Sequence, residues 1–303
     1  GGCAGFGSIN GSSLATAATI GLVALPEMRQ RGYSDALATG TVAAGGTLGQ
    51  MLPPSGALIV YGIIAEQSIG TLFTATLIPG ISQMLFYCLV VWLLVRWRPS
   101  IAPPSERASW AERGRAMLRI ADMLLLLAVV LGGIVLGWFS PSEASSIGTA
   151  GALAITAWRG RLNREVLFRA FSETLRTAGL IFLVIIGAII FSVFISVTGL
   201  TEAVGTAVSA MDMGTIPTLL VVALLLLLLG SVLDGLALML LTTPILLPIV
   251  EGVGMSPIWF GIFITRAMEI GFVHPPLGMN LYVIQGVAKD VPLGRIFKGV
   301  LPF

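Results

Sequence analysis

Four long apolar segments constrain this chain more than any other feature of its sequence. They run Leu77–Val95, Ile120–Phe139, Leu180–Val197 and Ile216–Val232. A helix needs about 20 mainly apolar residues to cross the hydrocarbon core of a bilayer. Charged residues make up only 11% of the chain and apolar residues 56%, so there is too little charge for the surface of an ordinary soluble domain. The sequence therefore predicts an all-α polytopic membrane protein.

The basic residues are clustered, and the clusters predict the orientation of the chain. Sixteen of the 17 Lys and Arg residues lie within Arg29–Arg31, Arg96–Arg119, Arg159–Arg176 and Lys289–Lys298. Loops rich in Lys and Arg stay in the cytoplasm, so all four clusters are placed there. Orientation explains the Arg-rich loop better than lipid or partner binding. The connections placed outside carry Glu66, Glu143, Glu202, Asp212 and Glu251 and no basic residue.

An internal repeat joins residues that lie 222 positions apart. The matched residues are Pro26 and Pro248, Gly32 and Gly254, Ser34 and Ser256, Gly49 and Gly271, Pro53-Pro54 and Pro275-Pro276, and Gly56 and Gly278. Gly, Pro and Ser fix backbone geometry, so the matches indicate a shared fold. The first copy leaves its hairpin at a basic, cytoplasmic segment and the second at Glu251–Gly254, outside. Each copy is therefore predicted to consist of a re-entrant hairpin and a broken transmembrane helix. The two copies have opposite orientations in the membrane, an arrangement that is common in secondary transporters.

The repeat predicts three regions. Residues 1–75 form the first repeat, with part of hairpin 1 and a broken helix. Residues 76–200 hold scaffold and linker helices, with a cytoplasmic loop at 96–119. Residues 201–303 form the second repeat, with hairpin 2, a broken helix and the start of a last helix. The sequence is also expected to be truncated at both ends.

Each copy contributes polar or broken backbone at membrane depth. The hairpin tips are Gly7–Ser13 and Gly230–Gly235, and the Gly-Pro-Pro breaks lie in Gly45–Gly56 and Gly271–Asn280. Two successive prolines remove two amide donors and open a helix, and such backbone survives in a membrane only where it is buried or lines a cavity. Free helix N-termini suit an anion, and freed carbonyls and hydroxyls suit Na⁺. Close packing of small residues and plain proline kinks are the structural alternatives.

The remaining polar residues exclude several classes of function. Cys3 and Cys88 are read as packing residues rather than a disulfide, and with a single His they exclude the usual zinc sites. No nucleophile, zinc-protease or nucleotide-binding motif is present, so an ion gradient is the expected energy source. Arg266 and Glu269 share a helix face and are read as a structural pair rather than a substrate site. His274 is read as a polar contact rather than a proton relay.

Several short stretches of the sequence resemble those of the large, DctM-type membrane subunit of tripartite ATP-independent periplasmic (TRAP) transporters. They include Phe6-Gly7-Ser8, Gly11-Ser12-Ser13, Leu25-Pro26-Glu27-Met28, Gly45-Gly46-Thr47-Leu48-Gly49, Pro53-Pro54-Ser55, Glu66-Gln67-Ser68-Ile69-Gly70, Glu269-Ile270-Gly271 and Gly278-Met279-Asn280-Leu281. The resemblance spans nearly the whole chain. It implies an elevator transporter in the bacterial inner membrane, with Na⁺-driven uptake of an organic acid. The acid would be delivered by a periplasmic binding protein, and a small membrane subunit would be a partner.

The resemblance also implies site residues. Na⁺ ligands map to Ser8, Asn10, Ser12, Gly45, Gly49 and Pro54 in the first copy and to Asp234, Thr243, Gly271, Pro275 and Met279 in the second; substrate contacts map to Ser13, Thr47, Ser55 and Asn280. The family often has Thr where His274 stands, which affects the second ion site. No cofactor other than the coupling ion is expected.

Two other functions compete with this one. A related carboxylate symporter of the elevator type would work without a binding protein and take up free substrate. A membrane-embedded enzyme would need a reactive cluster, which the sequence lacks. No residue of the sequence identifies which organic acid is carried.

Overall fold

The computed structural model describes residues 1–103, 109–199, 206, 214–274 and 277–303. These residues form thirteen α-helices and one short 3₁₀ turn at Pro99–Ile101, and they contain no β-strand, so the predicted all-α class is confirmed. The helices are α1 (Gly2–Asn10), α2 (Ser13–Gln30), α3 (Asp35–Met51), α4 (Gly56–Ile64), α5 (Ile69–Trp97), α6 (Trp110–Val135), α7 (Pro141–Trp158), α8 (Arg164–Val197), α9 (Thr215–Gly230), α10 (Gly235–Gly252), α11 (Pro257–Val273), α12 (Met279–Val287) and α13 (Leu293–Val300).

Four of the described helices are long and apolar enough to cross a membrane: α5, α6, α8 and α10. Helices α3 and α4 together make a fifth candidate span, because they follow one another across a break with a bend of 41°. Helix α9 is apolar but shorter. The large apolar side chains of α5, α6 and α8 are mostly exposed, as expected where the surrounding solvent is lipid. The prediction of a polytopic membrane protein is confirmed.

Several helix boundaries differ from the predicted apolar segments. Helix α5 begins at Ile69 rather than Leu77, and α6 begins at Trp110 rather than Ile120. Helix α6 ends at Val135, before Phe139, and Gly137 adopts a left-handed φ of 74° just beyond it. Helix α7, which matches none of the four segments, begins at Pro141, where Ser140 and Glu143 form a capping box. Helix α8 begins at Arg164, well before Leu180. Apolarity marks the part of a helix that lies in lipid, and it does not mark where the helix begins.

The described chain divides into two compact units, Gly1–Pro104 with Ile190–Phe303, and Ser105–Ile189. In the second unit α6 packs against α7. Arg159, at the end of α7, donates to both carboxylate oxygens of Asp122, at 2.7 and 2.6 Å, and to the Arg119 carbonyl at 2.6 Å. This pair fastens the end of α7 to α6. The predicted regions bounded at residues 76 and 201 stay a prediction.

The two repeats have matching helices. Helices α2 and α10 each have 18 residues and α3 and α11 each have 17, and in both pairs the second helix is displaced by 222 positions. Helices α4 and α12 each have 9 residues. A left-handed glycine lies between α2 and α3 and between α10 and α11, Gly32 at φ 78° and Gly254 at φ 87°. Ser34 and Ser256 then cap the next helix. The repeated Gly and Ser residues thus occupy equivalent backbone positions.

The repeats also pack against each other reciprocally. In each copy the hairpin helices contact their own broken helix: α1 and α2 contact α3, and α9 and α10 contact α11. The second arm of each hairpin also contacts the short half-helix of the other copy, α2 with α12 and α10 with α4. One apolar core joins α4, α10 and α11, and another joins α2, α3, α12 and α13. Neither core is confined to one repeat.

Ion pairs join α2, α3 and α13 at one end of the first unit. Arg29, in the last turn of α2, pairs with Asp35 of α3 at 3.1 Å and with Asp290 at 3.0 Å, and Arg295 of α13 pairs with Asp35 at 3.1 Å. The Arg29 guanidinium hydrogen-bonds to the Asp290 carboxylate and holds the pKa of that carboxyl below its usual range. The Arg29–Asp290 and Arg295–Asp35 pairs join segments that are about 260 residues apart in sequence.

Helix α13 crosses α3 where Gly299 meets Gly40. A methyl group on Gly40 would overlap the Gly299 carbonyl, and one on Gly299 would overlap the Ala36 carbonyl. Both obstacles are backbone atoms, which cannot rotate away. The crossing therefore requires glycine on both helices.

We expect Gly40→Ala to lower the stability of the protein by about 2 kcal/mol, because the added methyl group overpacks this crossing. Gly286→Ala is the matched control, since a methyl group there meets nothing within 4 Å. The control should unfold at the temperature of the unchanged protein or slightly above it. Thermal unfolding of the purified proteins in detergent measures the difference, and equal melting temperatures for the two variants would contradict the prediction.

Candidate ion and substrate site

The first break separates α3 from α4. Pro53 and Pro54 have no N–H, so the carbonyls of Gly49 and Gln50, four residues earlier, lose the donors that a continuous helix would supply. The side-chain Oε1 of Gln50 is also buried without a hydrogen-bond partner. Acceptor oxygens thus outnumber donors at this break.

The first hairpin tip is a tight turn between α1 and α2. Gly11 has a left-handed φ of 65° and Ser12 caps α2, its Oγ accepting from Ala15 N–H at 3.3 Å. Asn10 Oδ1 accepts from Ser12 N–H at 2.8 Å and from Thr16 Oγ1 at 3.1 Å. The tip is therefore held by its own polar side chains.

The tip touches the broken helix through glycines. A methyl group on Gly7 would lie 2.6 Å from the Gly49 Cα, and one on Gly49 would lie 2.7 Å from Thr16 Oγ1 and 2.8 Å from the Ser12 carbonyl oxygen. A methyl group on Gly11 would lie 2.6 Å from the Pro54 carbonyl oxygen. The structure therefore brings together the predicted Na⁺ ligands Ser12, Gly49 and Pro54, and Asn10 adjoins them through Thr16.

The other two predicted ligands of the first copy have different neighbours. Ser8 Oγ donates to the carbonyl of Ala4 in its own helix at 2.8 Å. The Cα of Gly45 packs against the sulfur of Cys3, which would lie 2.8 Å from an added methyl group. Neither contact joins the tip to the break. Both cysteines are free, as predicted.

The second copy repeats the glycine contact. A methyl group on Gly271 of α11 would lie 2.6 Å from the carbonyl oxygen of Gly230, the last residue of α9. Asp234 is exposed and caps α10, accepting from Leu236 N–H at 3.0 Å. Thr243 is 1% exposed, and its Oγ1 has no hydrogen-bond partner within the described chain. The predicted ligand Pro275 lies outside the described residues.

Helix α12 begins just after the second break. Its first residue, Met279, packs against the core of α10 and α11. Its second, Asn280, is fully buried and donates through Nδ2 to Ser13 Oγ at 2.9 Å and to the Ala43 carbonyl at 2.9 Å. The N-termini of α2 and α12 therefore meet at a pair of residues predicted to contact substrate.

The other two predicted substrate residues, Ser55 and Thr47, are also fully buried. Ser55 Oγ accepts from Leu58 N–H at 3.4 Å and caps α4, and Thr47 Oγ1 donates to the Ala44 carbonyl at 2.8 Å. None of the four predicted substrate side chains is open to solvent in this conformation. Their role in binding stays a prediction.

The comparisons with known proteins place this arrangement in a family. The family model of the DctM component of tripartite ATP-independent periplasmic transporters matches residues 1–303. The chain belongs to this family. It is 32% identical to the sialic acid TRAP transporter large permease protein SiaM of Vibrio cholerae over 98% of this chain and 69% of that relative. It is 31% identical to the C4-dicarboxylate permease DctM of Rhodobacter capsulatus, over 95% of this chain and 68% of that relative.

A further relative is the isethionate TRAP transporter permease protein DctMQ of Oleidesulfovibrio alaskensis, 32% identical over 99% of this chain and 47% of its own length. Membership of the TRAP family confirms the resemblance seen in the sequence. This TRAP permease is a multi-pass protein of the inner membrane and a transporter component rather than an enzyme.

Sequence reasoning missed a buried polar network in this TRAP permease. Gln83 Nε2 and Arg266 Nη1 both donate to Glu269 Oε2, at 3.2 and 3.0 Å, and Arg266 Nη2 donates to the Pro79 carbonyl at 3.2 Å. The predicted Arg266–Glu269 pair is confirmed as an ion pair. Gln83 and Tyr87 were overlooked because they lie in a segment that reads as lipid-facing. The sequence feature that indicates a buried role for them is their spacing, because two polar residues lie one turn apart in an apolar helix.

We expect Ser13 and Asn280 to be energetically coupled. Ser13→Ala and Asn280→Ala should each destabilise the TRAP permease. The double variant should lose less than the sum of the two by about 1 kcal/mol, because both single changes remove the same hydrogen-bonded contact between the Ser13 hydroxyl and the Asn280 amide. Melting temperatures in detergent complete the cycle. In the control cycle, Ser82→Ala replaces Ser13→Ala as the change combined with Asn280→Ala, since Ser82 Oγ donates to the Pro79 carbonyl of its own helix. Additive losses for Ser13 and Asn280 would show that the contact carries no free energy.

Proposed function

We propose that this TRAP permease is the transport core of a Na⁺-coupled importer of an organic acid. The observation that carries the proposal is the paired contact of a hairpin tip with a broken helix, through Gly7 and Gly49 in one repeat and Gly230 and Gly271 in the other. Contacts of this kind gather carbonyls and helix N-termini within the transmembrane region.

A dehydrated cation is the partner that suits these oxygens. The carbonyls of Gly49 and Gln50 lack helical donors, and the hydroxyl of Thr243 is buried without a partner. Unpartnered acceptors are costly in an apolar interior, and Na⁺ bound among them would offset that cost. The proposed ligands are those implied by the family: Ser8, Asn10, Ser12, Gly45, Gly49, Pro54, Asp234, Thr243, Gly271, Pro275 and Met279. Asn10, Ser12, Gly49, Pro54 and Thr243 have the best support in the geometry.

An anionic substrate suits the helix N-termini. The N-terminus of α2 meets that of α12 at Ser13 and Asn280, and Gly56 at the start of α4 donates its N–H to the Gly11 carbonyl of the tip at 3.4 Å. Helix N-termini favour negative charge. Three relatives are named for sialic acid, C4-dicarboxylates and isethionate. All of these compounds contain an acidic group. The shared property supports an organic acid as the class of substrate.

The family description also supports the proposed partners. A tripartite periplasmic transporter requires two further components, which we take to be a periplasmic binding protein that delivers the acid and a small membrane subunit. We further propose an elevator motion, in which the two repeats move together, because both apolar cores are shared between them. A symporter that works without a binding protein is the alternative, and it differs by taking up free substrate.

The test is uptake by liposomes that contain the permease with its small subunit. The binding protein encoded beside it is loaded with radiolabelled succinate, sialic acid or isethionate, and Na⁺ is compared with K⁺ outside. We expect uptake of one of these acids only with Na⁺ and binding protein together. Equal uptake in K⁺ would refute Na⁺ coupling, and uptake of free acid would favour the alternative.

The adjacent residues Thr242 and Thr243 provide a matched pair of variants for the same assay. Thr243→Val removes the unpartnered hydroxyl and should raise the Na⁺ concentration for half-maximal uptake about tenfold, the effect of losing roughly 1.4 kcal/mol of binding. Thr242→Val is the control, since the Thr242 hydroxyl already donates to Leu238 within the helix at 2.7 Å. Identical Na⁺ dependence in both variants would remove Thr243 from the proposed site.

A further inference from the structure

Helix α5 places one buried amide between equivalent positions of the two repeats. Gln83 is 7% exposed, and its Nε2 lies 3.3 Å from Thr47 Oγ1 and 3.2 Å from Glu269 Oε2. Thr47 and Glu269 are 222 positions apart, the same displacement that relates α3 to α11. A side chain that belongs to neither matched helix therefore contacts the same structural position in both.

The amide cannot serve all of its neighbours at once. Its NH₂ group carries two hydrogens, and three acceptors lie within reach, because the Tyr87 hydroxyl is 2.9 Å from the same nitrogen. Tyr87 is the closest acceptor and takes one hydrogen. The other hydrogen can be donated to Thr47 or to Glu269 at full strength, but not to both. The contacts thus have two competing arrangements, one favouring each repeat.

The orientation of the amide is fixed by charge. Gln83 Oε1 is buried without a partner, and turning the amide over would set that oxygen against the Glu269 carboxylate. Glu269 is itself held by Arg266, which also donates to the Pro79 carbonyl. The donor therefore stays between the repeats, and only the choice of acceptor is free.

Both acceptors adjoin candidate ion ligands. Thr47 lies midway between Gly45 and Gly49 on α3, and Glu269 precedes Gly271 by two residues on α11. Within a helix, neighbouring residues move together. A small shift of α3 or α11 when an ion binds at its break would change the distance from Gln83 to the corresponding acceptor.

We propose that Gln83 is a positioning residue that couples the two breaks, so that an ion bound at one repeat changes the affinity of the other for its ion. The proposal rests on the proposed Na⁺ binding and adds to it the residue that links the sites. Coupling of this kind needs an element with two arrangements that both sites bias. The shared amide hydrogen is that element.

The experiment measures Na⁺ binding by the full permease in detergent, as the rise in melting temperature with Na⁺ concentration at constant ionic strength. The unchanged protein should respond cooperatively, with a Hill coefficient above one. Gln83→Met keeps the side-chain length and removes the donor. It should reduce the Hill coefficient to about one and raise the half-saturating Na⁺ concentration about fivefold.

Two further variants separate coupling from a general loss of packing. Thr47→Val removes the acceptor of the first repeat, together with the bond of its hydroxyl to Ala44 within the helix and its contact with the Tyr87 hydroxyl. It should also reduce the Hill coefficient, and adding it to Gln83→Met should cause no further reduction. Thr76→Val is the control on the same helix, since Thr76 is buried and its hydroxyl bonds within α5 at 3.0 Å. The control should retain the cooperativity of the unchanged protein.

The outcomes distinguish this inference from the proposed function. Absence of any Na⁺-specific stabilisation in the unchanged protein would overturn both. Cooperative Na⁺ binding that is unaltered in Gln83→Met and in Thr47→Val would overturn the role of Gln83 and leave the proposed function standing. If Gln83→Met does not fold, an unaltered Hill coefficient in Thr47→Val overturns the inference by itself.

Discussion

The architecture depends on backbone meeting backbone where each hairpin tip contacts its broken helix. In the membrane interior no water is released when helices associate, so they are held by close van der Waals contact and hydrogen bonds. Gly7 and Gly49 in one copy, and Gly230 and Gly271 in the other, remove the side chains that would separate the two backbones. The obstacles to a methyl group on Gly7 or Gly271 are Cα and carbonyl atoms of the facing glycine, which have no rotamer to change. This contact therefore fixes the distance between tip and break more tightly than any side-chain packing could.

The same contact makes the first broken helix tolerable in an apolar environment. A prolyl-prolyl break leaves two carbonyls without helical donors, and an exposed break in lipid would cost several kcal/mol for each unpaired group. Because the tip covers the break, lipid is excluded and the remaining acceptors face protein. Gln50 Oε1, beside the break, is buried without a hydrogen-bond partner in the described chain. The unpaired backbone acceptors at the break thus have one origin, the two N–H groups that the prolines lack.

The repeat could be predicted from the sequence because glycine, proline and serine act locally. Gly32 and Gly254 adopt left-handed φ, and Ser34 and Ser256 cap the next helix, wherever the rest of the chain lies. The partners Ser13 and Asn280 were both identified, but their direct contact depends on which faces of α2 and α12 pack together, and one sequence does not contain that information. Gln83 was missed for a related reason. Its helix is apolar enough to read as lipid-facing, and only the fold shows that one stripe of α5 faces α3 and α11. Helices α6 and α8 begin well before their apolar segments because their first turns are polar.

The Arg266–Glu269 pair is the clearest departure from the internal symmetry. Its counterparts in the first repeat, 222 positions earlier, are Ala44 and Thr47, which are neutral. A buried ion pair adds little net stability, since desolvation offsets much of its Coulomb attraction. It does discriminate between packing partners, because only a neighbour that supplies further hydrogen bonds can satisfy it. Helix α5 supplies them through Gln83 and the Pro79 carbonyl. Because the two repeats have similar backbones, they present similar surfaces to α5. The Arg266–Glu269 pair distinguishes them, since the polar residues of α5 find a charged partner on α11 and only neutral residues on α3.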